Sequence, residues 1–162
     1  MEAKNESSQS GSSRRVEAIE KYKNGTGKRV FSNGTYTGEF KDGKFHGKGR
    51  YEYLNGNWYD GQFKNGVEEG YGVYHYASGY HYEGDFRNGK FDGEGIYYYP
   101  NKEKYDGNFK RGKKHGKGIY YFASGDKFVG TFKNDKEHGN GRIYFKNGIS
   151  EVQIWENGEL KN

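Results

Sequence analysis

The chain has 162 residues, a length that suits one domain, and a net charge of +5 from 27 basic and 22 acidic residues. Hydrophobic residues make up only 30% of it, yet aromatics make up 19%, with 17 Tyr and 11 Phe beside 28 Gly. This composition excludes a core of Leu, Ile and Val, and it argues against disorder, because disordered chains are poor in aromatics. The lack of cysteine excludes disulfides, thiol nucleophiles and Cys-ligated zinc. Mixed charge is typical of a solvated surface, so nucleic acid is an unfavoured partner.

The N-terminal segment, residues 1–15, is polar and lacks the apolar run of a signal peptide. We predict a flexible tail there. Residues 16–32 are predicted to form a degenerate half repeat that caps the array, with residues 16–23 as a short helix or a first strand. No segment approaches the roughly 18 apolar residues of a membrane span. The sequence therefore predicts a soluble intracellular protein of the cytoplasm or cytoskeleton.

Residues 33–158 repeat with a period of 23 residues. An aromatic two positions after the first glycine of each unit, beginning with Phe40, follows the same period, as does a second glycine pair that begins with Gly47 and Gly49. Residues 159–162 form a short C-terminal end. The glycines that define the period are Gly38, Gly61, Gly84, Gly107 and Gly130.

Apolar and polar residues alternate within each repeat. Tyr36, Gly38 and Phe40 alternate with polar residues, and after a predicted loop the alternation continues through Tyr51 and Tyr53. A period of two indicates β-strands. Turn dipeptides separate the strands at 55–56, 78–79, 124–125 and 147–148. The prediction is an all-β fold, a single-layer twisted antiparallel meander of about five to six β-hairpin repeats, each advancing roughly 10 Å.

The repeat pattern, Tyr-x-Gly-x-Phe followed after five or six residues by x-Gly-x-Gly-x-Tyr, resembles the MORN repeat (membrane occupation and recognition nexus). Residues 36–40 and 82–86 carry it most clearly, and the resemblance covers residues 24 to about 158. It implies a sheet that lays a partner's helix or extended segment along an aromatic groove, or that pairs with another copy. Small proteins made of such repeats include radial spoke head components, so it also implies a place in a ciliary axoneme or another cytoskeletal assembly.

One stretch has the appearance of a nucleotide site. Residues 38–44, GEFKDGK, match the phosphate-loop pattern, but Phe45 stands where a Ser or Thr would hold magnesium. The same spacing returns at 84–91 and 107–114, whereas a nucleotide site would be needed once. The match therefore belongs to the 23-residue period.

Three of the five histidines, His46, His115 and His138, occupy one repeat position, which we predict to be a loop. Neighbouring repeats lie roughly 10 Å apart, and zinc ligands must lie within about 2.1 Å of one ion, so such positions will rarely share a metal. We predict no metal site, no cofactor and no catalytic residues. The protein is not expected to be an enzyme.

The alternation places the glycines and aromatics on one face of the sheet, which we call face A. A single layer leaves part of this face uncovered, and exposed apolar surface usually marks an interaction site. The alternative, that these rings are only the fold's own core, stays open. The predicted partner-binding residues are Tyr36, Tyr59, Tyr82, Tyr105, Phe128, Tyr51, Tyr74, Tyr97, Tyr120, Tyr53, Tyr76, Tyr99 and Phe122.

The opposite face, face B, offers two further candidates. A second contact patch is predicted at Val73, Ile96, Ile119, Tyr98 and Tyr121, although strand propensity alone would also explain these residues. A basic row, Lys41, Lys64, Arg87, Lys110 and Lys133, could contact acidic phospholipids or form a solvated edge.

These features predict a non-enzymatic scaffold that binds other proteins of a larger assembly, or another copy of itself, through face A. The first alternative is a peripheral membrane tether that binds acidic lipids through the basic row. A weaker third alternative is single-stranded RNA binding, because aromatics beside lysines can stack on bases.

Overall fold

The computed structural model describes residues 22–161, so the predicted tail at 1–15 and the first part of the predicted cap lie outside the described residues. The chain forms one 13-stranded sheet in which every strand is antiparallel to the strand before it in sequence. Residues 22–161 contain strands and turns but no helix. The predicted all-β, single-layer meander is therefore confirmed.

The strands follow one another in chain order across the sheet. They are β1 Gly25–Phe31, β2 Gly34–Lys41, β3 Lys44–Tyr53, β4 Trp58–Lys64, β5 Val67–His75, β6 His81–Arg87, β7 Lys90–Tyr98, β8 Lys104–Lys110, β9 Lys113–Tyr121, β10 Lys127–Lys133, β11 Lys136–Tyr144, β12 Ser150–Glu156 and β13 Glu159–Leu160. The turns predicted at 55–56, 78–79, 124–125 and 147–148 all lie between strands, as expected.

The other connection in each repeat is a turn of only two residues. Between β2 and β3, Asp42 has φ 50° and Gly43 has φ 75°, the positive values that a type I′ hairpin turn requires. The loop predicted after Lys41 is therefore much shorter than expected, and β3 begins at Lys44. As a consequence Phe45 pairs with Phe40 and lies on face A.

A bulge follows each tight turn. In β2, Gly38 pairs with Gly49, but the next residue, Glu39, pairs with His46, so β3 carries extra residues at this point. The same register shift occurs in five hairpins that have a two-residue turn, namely β2–β3, β4–β5, β6–β7, β8–β9 and β10–β11. The loop predicted for His46, His115 and His138 is wrong, because the early start of the strand places all three inside β3, β9 and β11.

An aromatic ring covers each glycine pair on face A, a tyrosine in the first four repeats and Phe128 in the fifth. The Tyr36 ring lies against Gly38 and Gly49, and a Cβ on either glycine would overlap its hydroxyl. That hydroxyl donates a hydrogen bond of 2.8 Å to the carbonyl of Glu39, beside the bulge. Because a bulge interrupts the ladder, this bond satisfies a backbone acceptor at the point of disruption. The equivalent tyrosines, Tyr59, Tyr82 and Tyr105, make the same bond at 2.8–3.0 Å.

Edge-to-face ring contacts join one repeat to the next. Tyr36 meets Phe63 of the following repeat at a centroid distance of 5.1 Å and an angle of 90°. Such T-shaped pairs match the quadrupoles of the two rings. The contact recurs along the array in the pairs Tyr59–Phe86, Tyr82–Phe109, Tyr105–Phe132 and Phe128–Trp155. The core is thus a single file of rings, and each repeat packs against its neighbours in the array.

Replacing a covered glycine should destabilise the sheet. In Gly118→Ala, the new methyl group would overlap the Tyr105 ring, so we expect a loss of about 1–3 kcal/mol in the free energy of unfolding. The measurement is the midpoint of urea denaturation. Gly27→Ala is the matched control. Gly27 also pairs with a glycine across the strands, Gly38, but the nearest atom to its added Cβ, in the Tyr22 ring, is 3.4 Å away. Equal midpoints for the two variants would contradict this account.

Candidate functional site: the two faces of the sheet

The structure divides the predicted partner-binding residues of face A into two groups. The first group is covered, because five of its rings turn inward over the glycine pairs and Tyr51 packs against Phe31, Phe45 and Tyr53. Its members leave no surface for a partner and form the core: Tyr36, Tyr59, Tyr82 and Tyr105 are 0% exposed, Phe128 is 2% exposed and Tyr51 is 7% exposed.

The second group stays half-buried and forms a continuous band, which we call the tyrosine stripe: Tyr53, Tyr74, Tyr76, Tyr97, Tyr99, Tyr120 and Phe122. Rings pair within a repeat, as Tyr97 does with Tyr99 at 5.0 Å, and between repeats, as Tyr99 does with Tyr120 at 5.7 Å. Tyr80 extends the stripe from its turn and lies 6.1 Å from Tyr97. Ring contacts therefore run from Tyr53 to Tyr76 and from Tyr80 to Phe122, and Tyr76 and Tyr97 line the same cleft.

The stripe borders a cleft of about 350 Å³ between the third and fourth repeats. Tyr76, Tyr97 and Tyr99 form one side, and Lys114 and Asp135 line it as well. Burial raises the pKa of both Tyr97 and Tyr99 to about 12, with a further contribution to Tyr99 from Asp135. These hydroxyls therefore remain neutral donors at physiological pH.

One row of face A was not predicted from the sequence. This row, which we call the variable row, pairs across the tight turns with Phe40 and its equivalents in the other repeats. Its members are Phe45, Glu68, Phe91, Lys114 and Glu137. Phe45 stacks on Tyr36 at 3.9 Å, and Phe91 stacks on Tyr82 at 3.8 Å. The available signal was that two of the five positions are Phe at the common period.

Lys114 is the most confined member of the variable row. Its Nζ lies 5.2–5.9 Å from the ring centres of Tyr99, Tyr105, Tyr120 and Phe132 and donates to Tyr99 Oη at 3.3 Å. Burial lowers the pKa of its ammonium group, and the charges of Glu137 and Asp135 partly oppose that shift. The ammonium group is therefore held by ring faces and one hydroxyl.

Face B differs from its prediction in one respect. Val73, Ile96 and Ile119 do lie on it, but each is paired across the strands with a carboxylate residue. Glu83 stands between Val73 and Ile96, and Asp106 stands between Ile96 and Ile119. The aliphatic row is therefore interrupted at every step by an acidic side chain from the intervening strand.

Tyr98 and Tyr121, the other members of the predicted face-B patch, contact neighbouring side chains of the sheet. Tyr98 stacks on His81 at 4.2 Å, and Lys104 lies 4.6 Å from the Tyr121 ring centre. The stacking continues through His75 to Trp58, whose rings are nearly parallel at 5.1 Å. The ring faces of this ladder are largely taken up by their own neighbours.

The basic row lies on face B, at the end of the sheet that carries the tight turns. All five side chains are exposed. Four of them stand directly opposite a second cation across the turn, in the pairs Lys41–Lys44, Arg87–Lys90, Lys110–Lys113 and Lys133–Lys136. Like charges directly opposite destabilise a hairpin. One nearby carboxylate, Asp92, offsets this by pairing with Arg87 at 3.6 Å.

Within residues 22–161, no three His, Asp or Glu side chains come together in a way that could hold a metal ion. In the same range there is no helix with the length and hydropathy needed to cross a bilayer.

Comparison with protein families matches the repeat units seen in the sheet. A family model described as MORN repeat matches residues 20–35, 36–58, 59–79, 82–104, 105–127 and 128–150. Five of these matches begin at the buried ring that covers a glycine pair, the first of them at Tyr36. A search of curated proteins found no significant match.

Replacing Lys114 by an aromatic residue should stabilise the fold. In Lys114→Phe, the new ring can stack on Tyr105 as Phe91 stacks on Tyr82, and no ammonium group is left among the rings. We expect a gain of about 1 kcal/mol in the free energy of unfolding, measured by urea denaturation. Lys113→Phe, at the exposed neighbouring position on face B, is the control and should change little. A lower midpoint for Lys114→Phe than for the control would contradict this reading.

Proposed function

Because the chain belongs to the MORN repeat family, we propose that it is a non-enzymatic scaffold that binds a segment of a partner protein along the tyrosine stripe of face A. The observation that carries this proposal is the stripe itself, a continuous half-buried aromatic surface on a sheet with no second layer within residues 22–161. Contiguous apolar surface of this kind usually marks an interaction site.

The chemistry of the stripe favours a protein ligand. Tyrosine offers a large rigid ring and a hydroxyl, and it is enriched at the energetic centres of protein interfaces. The rings are held by one another and by the sheet, so binding orders few side chains and loses little conformational entropy. The cleft of about 350 Å³ beside Tyr97 and Tyr99 has room for an anchoring side chain of the partner.

We place this function in a larger protein assembly, in which the partner is another protein or a second copy of the chain. The specific setting that we propose is a cytoskeletal one, with a ciliary axoneme as the first candidate. Its support is the resemblance of a chain built almost wholly of these repeats to radial spoke head components. Imaging of a fluorescently tagged chain in ciliated cells tests it, and exclusion from the axoneme would contradict it.

Adjacent tyrosines on opposite faces give a direct test of the binding face. Tyr97 belongs to the tyrosine stripe, whereas its neighbour Tyr98 faces the other side, and both are half-buried. A photo-crosslinking amino acid placed at Tyr97 should form adducts with the partner in cells, and the same group at Tyr98 should not. Tyr120 and Tyr121 offer a second pair of the same kind. Mass spectrometry of the adducts provides the measurement, and equal crosslinking from both faces would contradict the proposal.

The basic row supports a second candidate function, a tether to acidic phospholipids. Four hairpins carry two cations directly opposite each other at the same end of face B. This arrangement costs stability in the free protein, and an anionic surface that met the row would relieve the repulsion. The proposed lipid surface lies on the opposite face from the tyrosine stripe, so the two functions are compatible.

Salt and charge reversal test the lipid candidate. Binding to phosphatidylserine vesicles should weaken steeply as salt rises, because the contacts are exposed charges. The double variant Lys110→Glu/Lys113→Glu should bind at least about thirtyfold more weakly, since each of the two lost cations contributes about 1 kcal/mol near such a surface. Lys48→Glu/Lys117→Glu makes the same change in net charge away from the turns and should retain binding. Salt-insensitive binding, or equal losses in the two variants, would contradict this function.

A further inference from the structure

The variable row gives this chain its own order of charges along face A. Its members are aromatic in the first and third repeats, at Phe45 and Phe91, and charged in the others. From the second repeat to the fifth, the charged positions are Glu68, Lys114 and Glu137, in the order negative, positive, negative. The order differs from the strict repetition of the core rows.

None of these three charges lies in a close ion pair within the described chain, although Glu137 and Asp135 act on Lys114 from a longer distance. For residues 22–161, the ion pairs do not include Glu68, Lys114 or Glu137. Glu68 accepts a hydrogen bond of 3.3 Å from Tyr53 Oη, and Lys114 Nζ donates one of 3.3 Å to Tyr99 Oη, so both bonds are made with hydroxyls of the tyrosine stripe. All three are half-buried. Half-buried charges without a counterion in direct contact are costly, so a ligand that supplied one to each would gain from them.

The spacing of the row fits an α-helix. Each repeat comprises two strands spaced about 4.8 Å apart, so successive members of the row lie about 9.6 Å apart across the sheet. An α-helix rises about 10.5 Å over seven residues. A helix laid along the tyrosine stripe would therefore present one side chain in seven to each repeat. Over the two repeats from Glu68 to Lys114, the rise of the helix exceeds the distance across the sheet by only about 2 Å.

We propose that the partner segment is an amphipathic helix whose every seventh residue reads apolar, basic, apolar, acidic, basic, in either chain direction, to match the variable row. The apolar positions meet Phe45 and Phe91, the basic positions meet Glu68 and Glu137, and the acidic position meets Lys114. This inference rests on the proposed function of face A and specifies the chemistry of its ligand. Helices bound in grooves are read in this way, through anchors on one face.

Selection from a helical library tests the charge order. The probe is a displayed 29-residue helix of fixed sequence in which only the five facing positions, each seven residues apart, are randomised. Selection on the purified protein should enrich the apolar, basic, apolar, acidic, basic order or its reverse. Selection on Lys114→Glu should change the acidic position to basic, and selection on Glu68→Lys should change the matching basic position to acidic. The second variant gives an independent reading if the first does not fold.

Affinity measurements on one selected helix give the matched control. Its dissociation constant should rise at least about tenfold in Lys114→Glu, which removes an ion pair and adds a like-charge contact. Lys113→Glu makes the same change in net charge on face B and should leave the dissociation constant unchanged. Loss of binding in Tyr97→Asp but not in Tyr98→Asp would place the helix on face A.

The outcomes separate the two proposals. Helices that bind face A with no preference for charge, or whose charges do not follow the variants, would overturn the inference and leave the proposed function in place. A library that yields no helix bound to face A would overturn the inference, while the photo-crosslinking from Tyr97 and Tyr98 still decides the proposed function. Enrichment of the predicted order on the protein, reversed in the variants, is the supporting result.

Discussion

A tyrosine hydroxyl that reaches over two paired glycines is the contact on which the sheet depends. At Tyr36 the ring needs the space that Gly38 and Gly49 leave, and its hydroxyl satisfies the Glu39 carbonyl beside the bulge. A side chain on either glycine would remove both effects. The fifth repeat supports this view, because there Phe128 lacks the hydroxyl and Thr131 donates instead to a neighbouring backbone carbonyl, that of His138.

This packing of aromatic rings on paired glycines explains how a chain poor in aliphatic residues makes a stable array. The buried rings meet edge to face from one repeat to the next, so a single layer of strands acquires a core along its length. Rows that repeat strictly form this core, and Phe45 and Phe91 of the variable row stack on it, whereas the charged members of that row and the rows that keep like charges opposite each other add little to it. Stability and recognition are therefore assigned to different rows of the same 23-residue unit.

The glycine period and the alternation around Tyr36 were sufficient to predict the strands, their antiparallel order and the aromatic face. The register of face A was not predictable in the same way. A positive φ at Asp42 shortens the turn and brings Phe45 into the strand, and this depends on backbone geometry that alternation does not encode. Neighbours on adjacent strands were also missed, so Glu83 was not expected between Val73 and Ile96.

The same residue type also has different roles on one face, since Tyr82 is fully buried while Tyr97 is half-buried. Nitration of tyrosines, read by mass spectrometry in the free protein and in its native assembly, tests this division most directly. We expect Tyr82 and its equivalents to resist nitration in both samples, and Tyr97 and the rest of the tyrosine stripe to be nitrated in the free protein and protected in the assembly. Equal nitration of the stripe in the two samples would contradict the central claim that face A is the binding surface.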